Sequence, residues 1–162
     1  MGLCCINKNR RSIQVCRCAS LQVCMSKTIE REIGDWGEEQ ASLFLVRNNY
    51  EVVARNYDAR GGEIDIVTWD RSDKNEPALC FVEVKTRSYG EDSAELAVNR
   101  EKAQKMKSAA ENYCFLNRID VEHTRIRFEH VSVYVDKANK KVSFKKYILP
   151  SFLFDKRRKF RM

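Results

Sequence analysis

The chain has 162 residues, enough for one domain with a real core, and its apolar and charged fractions are those of an ordinary globular protein. Lys and Arg number 30 against 23 Asp and Glu, a net charge of +7 that favours polyanionic partners such as DNA. No apolar run approaches the ~20 residues needed to cross a bilayer, which argues against a membrane partner.

Residues 1–26 differ from the rest: they hold Cys4, Cys5, Cys16, Cys18 and Cys24 and no acidic residue. Zinc binding lacks the paired Cys-x-x-Cys spacing. A myristoylated N-terminus wants Ser or Thr where Ile6 stands. A targeting peptide would suit the Arg-bearing, acid-free composition. The composition break favours a fourth reading, a dispensable extension upstream of Met25. Cys80 and Cys114 fall in apolar patterns and read as buried thiols, so the expected compartment is a reducing cytoplasm.

The body is expected over residues 27–150. A helix runs from about Ser26, a candidate cap, to Asn48, with Glu30 and Glu32 suited to its first turns. Gly34 and Gly37 cost ~1 kcal/mol each there, and imply a break or a close approach of another backbone. Tyr50 to Tyr57 reads as a strand, and Gly61-Gly62 turns the chain into Gly62-Glu63-Ile64-Asp65-Ile66-Val67. Asp70 to Pro77 is a polar loop. Leu79-Cys80-Phe81-Val82-Glu83-Val84-Lys85-Thr86-Arg87 alternates as a further strand. After a loop over Ser88 to Ser93, a helix from Ala94 or Asn99 to Asn117 carries the stripe Ala103, Met106, Ala110, Tyr113 and Cys114. Arg125 to Val135 and Lys141 to Leu149 form a hairpin. The order α-β-β-β-α-β-β gives an α/β fold, a mixed β-sheet flanked by helices. Residues 151–162 form a basic tail with Lys156, Arg157 and Arg158.

Asp65, Glu83 and Lys85 carry the chemistry. Side chains two apart on a strand share a face, so Glu83 and Lys85 point the same way, roughly 7 Å apart. A charged pair in an apolar strand is costly unless it is paired or binds something. Neighbouring strands lie about 4.8 Å apart, so Asp65 and Glu83 can share one hard divalent cation, Mg²⁺ or Mn²⁺. The Val84 carbonyl is a further oxygen donor, and Glu63 shares the parity of Asp65. Lys85 would orient water or neutralise charge on a phosphate. The plainer alternative is an edge strand with a solvated Glu-x-Lys pair and an Asp65–Lys85 salt bridge. Arg55 and Arg87 flank the site as phosphate contacts or as partners of Glu51 and Glu91. Lys102 and the tail residues Lys156, Arg157 and Arg158 are further nucleic-acid candidates. His123 and His130 read as surface or strand residues, and Trp36 and Trp69 as core or boundary residues.

Five segments in order resemble the YraN-like family of uncharacterised proteins, itself similar to Holliday-junction resolvases and to restriction-endonuclease-like PD-(D/E)xK nucleases. They are Gly34-x-x-Gly37-Glu38-x-x-Ala41, Ala54-Arg55-Asn56-Tyr57, Gly62 to Val67, Phe81 to Arg87, and Lys102 with Ala109-Ala110-x-x-Tyr113, followed by Arg127-Phe128. Glu129 stands where the family usually has Asp. The resemblance implies a restriction-endonuclease-like core, a site of Glu38, Asp65, Glu83 and Lys85, and a metal held by Glu38, Asp65, Glu83 and Val84. It implies a Mg²⁺- or Mn²⁺-dependent endonuclease acting on DNA, including branched or recombining DNA. The alternatives are a non-catalytic nucleic-acid-binding module and a structural or adaptor protein. The oligomeric state is left open, a homodimer included.

Overall fold

The computed structural model describes residues 28–88 and 99–150. The expected N-terminal extension, the Ser26 cap, the helix start near Ala94 and the tail residues Lys156, Arg157 and Arg158 lie outside them. Helix α1 spans Ile29–Arg47 and is capped by Thr28, whose hydroxyl accepts from the Arg31 amide at 3.4 Å. It runs unbroken through both glycines. At Gly37 the expected close approach is real but made by a side chain: a Cβ there would lie 1.7 Å from Thr86 Oγ1. A Cβ at Gly34 would meet nothing within 4 Å among the described residues.

The strands are β1 (Tyr50–Ala59), β2 (Gly62–Asp70), β3 (Ala78–Ser88), β4 (Arg125–Asp136) and β5 (Lys141–Ile148), with helix α2 (Arg100–Leu116) between β3 and β4. The element order is the expected one. The five strands lie in the order β1-β2-β3-β4-β5. Only β3 and β4 pair in parallel, and α2 lies on the connection that parallel pairing requires. None of the helices among the described residues is long and apolar enough to cross a membrane.

β3 is the middle strand, not an edge. The Cys80 and Val82 side chains pack with Ala41 and Leu45 of α1 in one core. Leu79 and Phe81 pack with Ala109 and Ala110 of α2 in the other. Leu79 to Val82 are all 0% exposed, so this part of β3 does not alternate between core and solvent. A strand covered on both faces reads as a continuous apolar run. The α2 stripe buries Ala103, Met106, Ala110 and Cys114 as expected, with Ala109 added. Cys80 and Cys114 are buried free thiols.

Where β3 and β4 begin, the sheet also buries a charged network. Glu129 is 0% exposed. It accepts from Tyr50 Oη at 3.3 Å and pairs with Arg127 Nε at 3.3 Å and Lys146 Nζ at 3.5 Å. Arg127 also bonds Asp70 and meets Cys80 Sγ at 3.4 Å. Burial pushes the Asp70 carboxyl up, but hydrogen bonds from Ser72 and then Arg127 pull it down to about 2. Burial, then Glu129, pushes the Cys80 thiol up to about 11.

Candidate functional site

The β2–β3 ladder pairs Asp70 with Ala78 and reaches Ile66 opposite Val82. Beyond that pair the backbone pairing stops, and a buried N–H still needs an acceptor. Asp65 supplies it: its Oδ2 accepts from the Val84 amide at 2.7 Å. Alternation also fails here, since Ile64 packs in the α2-side core and Ile66 in the α1-side core. The site therefore forms where two strands part, with an acid filling the gap in the ladder. An extended residue presents its N–H and C=O to the same side, so the Val84 carbonyl opens toward the same gap.

Glu83 lies against Asp65, its side chain 13% exposed and its Oε2 buried without a hydrogen-bond partner. Burial, then the Asp65 charge, pushes its carboxyl up to about 7. Burial also raises Asp65, against the pull of the Val84 amide and Lys102. Two carboxyls in contact and out of water resist ionising together, so the pair tends to retain a proton near neutral pH.

Glu38 reaches the cluster from α1, because Gly37 lets the helix settle on Thr86 of β3. Its Oε2 is likewise buried and unpartnered. Burial, Asp65 and Asp35 raise its pKa, while Arg55 opposes them. Glu38 and Asp65 line one open cleft of about 490 Å³, together with Glu63, Asp35, Asp58 and Arg31. Glu63 and Asp65 thus line one cleft, as expected, although alternation fails between Ile64 and Ile66. Asp65 is the common member: it faces Glu38 across the cleft and touches Glu83 beside it. Among the described residues, no three His, Cys, Asp or Glu side chains stand as a finished metal-ligating group. The donors themselves are all oxygen, crowded and partly unpartnered, which suits a hard divalent cation.

Lys85 is exposed and pairs in register with Ser132. Among the described residues it makes no ion pair, so the Asp65–Lys85 bridge of the plainer alternative is absent. Lys102 does that work instead, with Nζ 3.2 Å from both Glu63 Oε1 and Glu83 Oε1. Burial opposes the Lys102 charge, but Glu83 and Glu63 outweigh it and raise its pKa. Arg55 is exposed on β1, and Glu51 pairs with Arg71 at 2.8 Å rather than with Arg55. His130, in register with Glu83, is buried in its strand. Burial, then Arg87 and Lys85, lowers its pKa to about 4, so it is neutral beside two cations. His123 is an exposed partner of Asp120, Trp69 is half-buried, and Trp36 is 37% exposed.

Residues 37–133 match the uncharacterised protein family UPF0102. A UPF0102 protein of Acetivibrio thermocellus is 36% identical over 126 residues, covering 76% of this chain and 92% of the relative. One of Syntrophomonas wolfei is 37% identical over 116 residues, covering 71% and 95%. One of Photobacterium profundum is 38% identical over 105 residues, covering 64% and 80%. The matched span contains Glu38, Asp65, Glu83, Lys85 and Lys102.

Proposed function

The chain belongs to the YraN-like family UPF0102, and from that premise we propose that it is a Mg²⁺- or Mn²⁺-dependent endonuclease hydrolysing phosphodiester bonds in DNA, branched or recombining DNA in particular. The observation that carries the reading is the Asp65–Glu83 contact at the point where β2 and β3 part, with Lys85 two residues further along the same strand. Such an arrangement on adjacent strands is what a restriction-endonuclease-like site requires.

Asp65, Glu83, Glu38 and the Val84 carbonyl would hold the cation. When bound, it would supply charge neutralisation and a more acidic water. Asp65, fixed by the Val84 amide, sets where the acids converge. Lys85, which makes no ion pair among the described residues, offers its ammonium to charge that grows on the phosphate oxygens, a role worth most in the transition state. Arg55 and Arg87 hold flanking phosphates, and the net charge of +7 draws the polyanion in. The buried free thiols Cys80 and Cys114 suit a reducing cytoplasm.

One observation favours a second reading, a non-catalytic nucleic-acid-binding module: the acids do not yet stand as a finished metal cage among the described residues. A cleavage assay on linear duplex, single-stranded and four-way-junction DNA separates the two. Wild type should cut at least one form with Mg²⁺ or Mn²⁺ and none with a chelator, and Asp65→Asn should lose both cutting and Mn²⁺ binding. Tight DNA binding without cutting in either metal would favour the binding module. Equal Mn²⁺ affinity in wild type and Asp65→Asn would remove the site assignment.

A further inference from the structure

Lys102 is held where it is by the fold. Asn99 caps α2, its Oδ1 accepting from the Lys102 amide at 2.9 Å, which fixes the first turn of the helix. Gly62 lets that helix lie on the start of β2, since a Cβ there would stand 2.2 Å from the Lys105 carbonyl oxygen. The lysine therefore reaches from one fixed point to two strands. Its ammonium is 3.2 Å from Glu63 on β2 and 3.2 Å from Glu83 on β3.

Glu63 and Glu83 share this ammonium, Asp65 lies against Glu83 within reach of its charge, and Glu38 stands across the cleft. Its two partners differ sharply. The Glu83 side chain is 13% exposed, whereas that of Glu63 is 68% exposed. A lysine is a point charge on a flexible stem, able to keep one partner while releasing the other. Here the exposed partner is a resting place and the buried one is a candidate metal ligand.

We infer that Lys102 is the resident counter-cation of this carboxylate cluster, and that uptake of a divalent cation requires its ammonium to let go of Glu83 and retire to Glu63. The inference rests on the metal-dependent reading above. Lys102 then sets the affinity of the site: it keeps the crowded acids together without metal and competes with metal for Glu83. It also accounts for the unfinished cage, since one oxygen of Glu83 is engaged by Lys102 while the other is unpartnered.

Mn²⁺ binding measured by calorimetry or electron paramagnetic resonance tests this without any cleavage assay. Lys102→Met and Lys102→Gln should each bind Mn²⁺ about tenfold more tightly than wild type, the scale of one partly screened ion pair. Lys105→Met removes a charge from the same helix, but that ammonium pairs with Glu101 at 2.9 Å, so its Mn²⁺ affinity should match wild type. In the wild-type protein, adding Mg²⁺ should shift the ¹⁵N resonance of the Lys102 ammonium, a readout that needs no variant to fold. Mn²⁺ affinity in the folded Lys102 variants equal to or weaker than wild type overturns the inference and leaves the metal site standing. So does an equal gain in Lys105→Met, or a Lys102 resonance that Mg²⁺ does not move in a protein that binds it. No uptake by wild type or by either Lys102 variant overturns the metal reading and this inference together.

Discussion

The sheet carries two charged clusters, one toward the start of β3 and one at its middle. At the Ala78 end, Asp70 and Glu129 meet Arg127 and Lys146, two acids with two bases, and Tyr50 adds a hydroxyl. Around Glu83, Lys102 pairs with Glu63 and Glu83, Asp65 lies against Glu83, and Glu38 stands nearby with an unpartnered oxygen. The first cluster balances its charge, and its acid Asp70 is pulled to about 2 by Ser72 and then Arg127, against burial. The second does not, and Glu83 is pushed the other way, to about 7, by burial and Asp65. Buried charge is tolerated when it is paired. A fold that pairs one cluster and leaves the next crowded has an uncompensated electrostatic cost in one place, and such places are where function is found.

The largest effect should come from breaking the balanced cluster. Glu129→Ala leaves Arg127 and Lys146 without their shared buried acid. It should lower folding stability by about 3 kcal/mol, the low end for a broken buried pair, because Arg127 keeps Asp70. Urea denaturation measures this directly. A loss below about 1 kcal/mol, the range of exposed ion pairs, would mean that the two clusters do not differ as described.

Much of this was legible in the sequence, and the gaps have physical reasons. The strand alternation, the α2 stripe and the turn glycines gave the element order. Asp65 and Glu83 stood out as acids inside apolar runs, and Glu63 shares the cleft of Asp65 as expected. The central place of β3 was also available, in the unbroken apolar run Leu79-Cys80-Phe81-Val82, but the alternation further along the strand masked it. Lys102 looked like a solvated helical lysine and a phosphate contact. Only the seating of α2 on Gly62 turns it toward the acids. The Glu129 network was out of reach, because Tyr50 and Glu129 are 79 residues apart in the chain and local pattern carries no information about such a pair.

The second prediction concerns the crowded cluster as a catalyst. Lys85 is exposed, and among the described residues it makes no ion pair, so its removal should disturb the fold little. Its ammonium acts on charge that develops during reaction. Lys85→Ala should therefore slow DNA cleavage by about 10²-fold, or ~2.7 kcal/mol, with nearly unchanged melting temperature and DNA affinity. Equal loss of binding and of rate would make Lys85 a plain phosphate contact and weaken the contrast between a structural cluster and a chemical one.

The smallest effect is the most direct measure of the imbalance. Glu83 carries a folded-state pKa near 7 against an ordinary value of 4.5, because burial and the Asp65 charge disfavour its ionised form. A raised carboxyl pKa means that the native state binds the proton more tightly than the unfolded chain. The stability it contributes is fully present below about pH 4.5 and is lost as pH rises through about 7. Glutamine imitates the protonated acid at every pH. Metal-free Glu83→Gln should thus be more stable than wild type at pH 8, by about 2 kcal/mol, the net rise in pKa already including the Lys102 contact. The gain should shrink through pH 6 and vanish by pH 4, as wild-type Glu83 takes up its own proton. Asp70→Asn should behave in the opposite sense, since the folded-state pKa of Asp70 is lowered to about 2: it should cost stability at pH 8 and cost little near pH 2. Denaturation curves of the two variants across that pH range should therefore slope in opposite directions. Parallel slopes would show that the clusters share one electrostatic character and that the Glu83 cluster is not held ready for a cation.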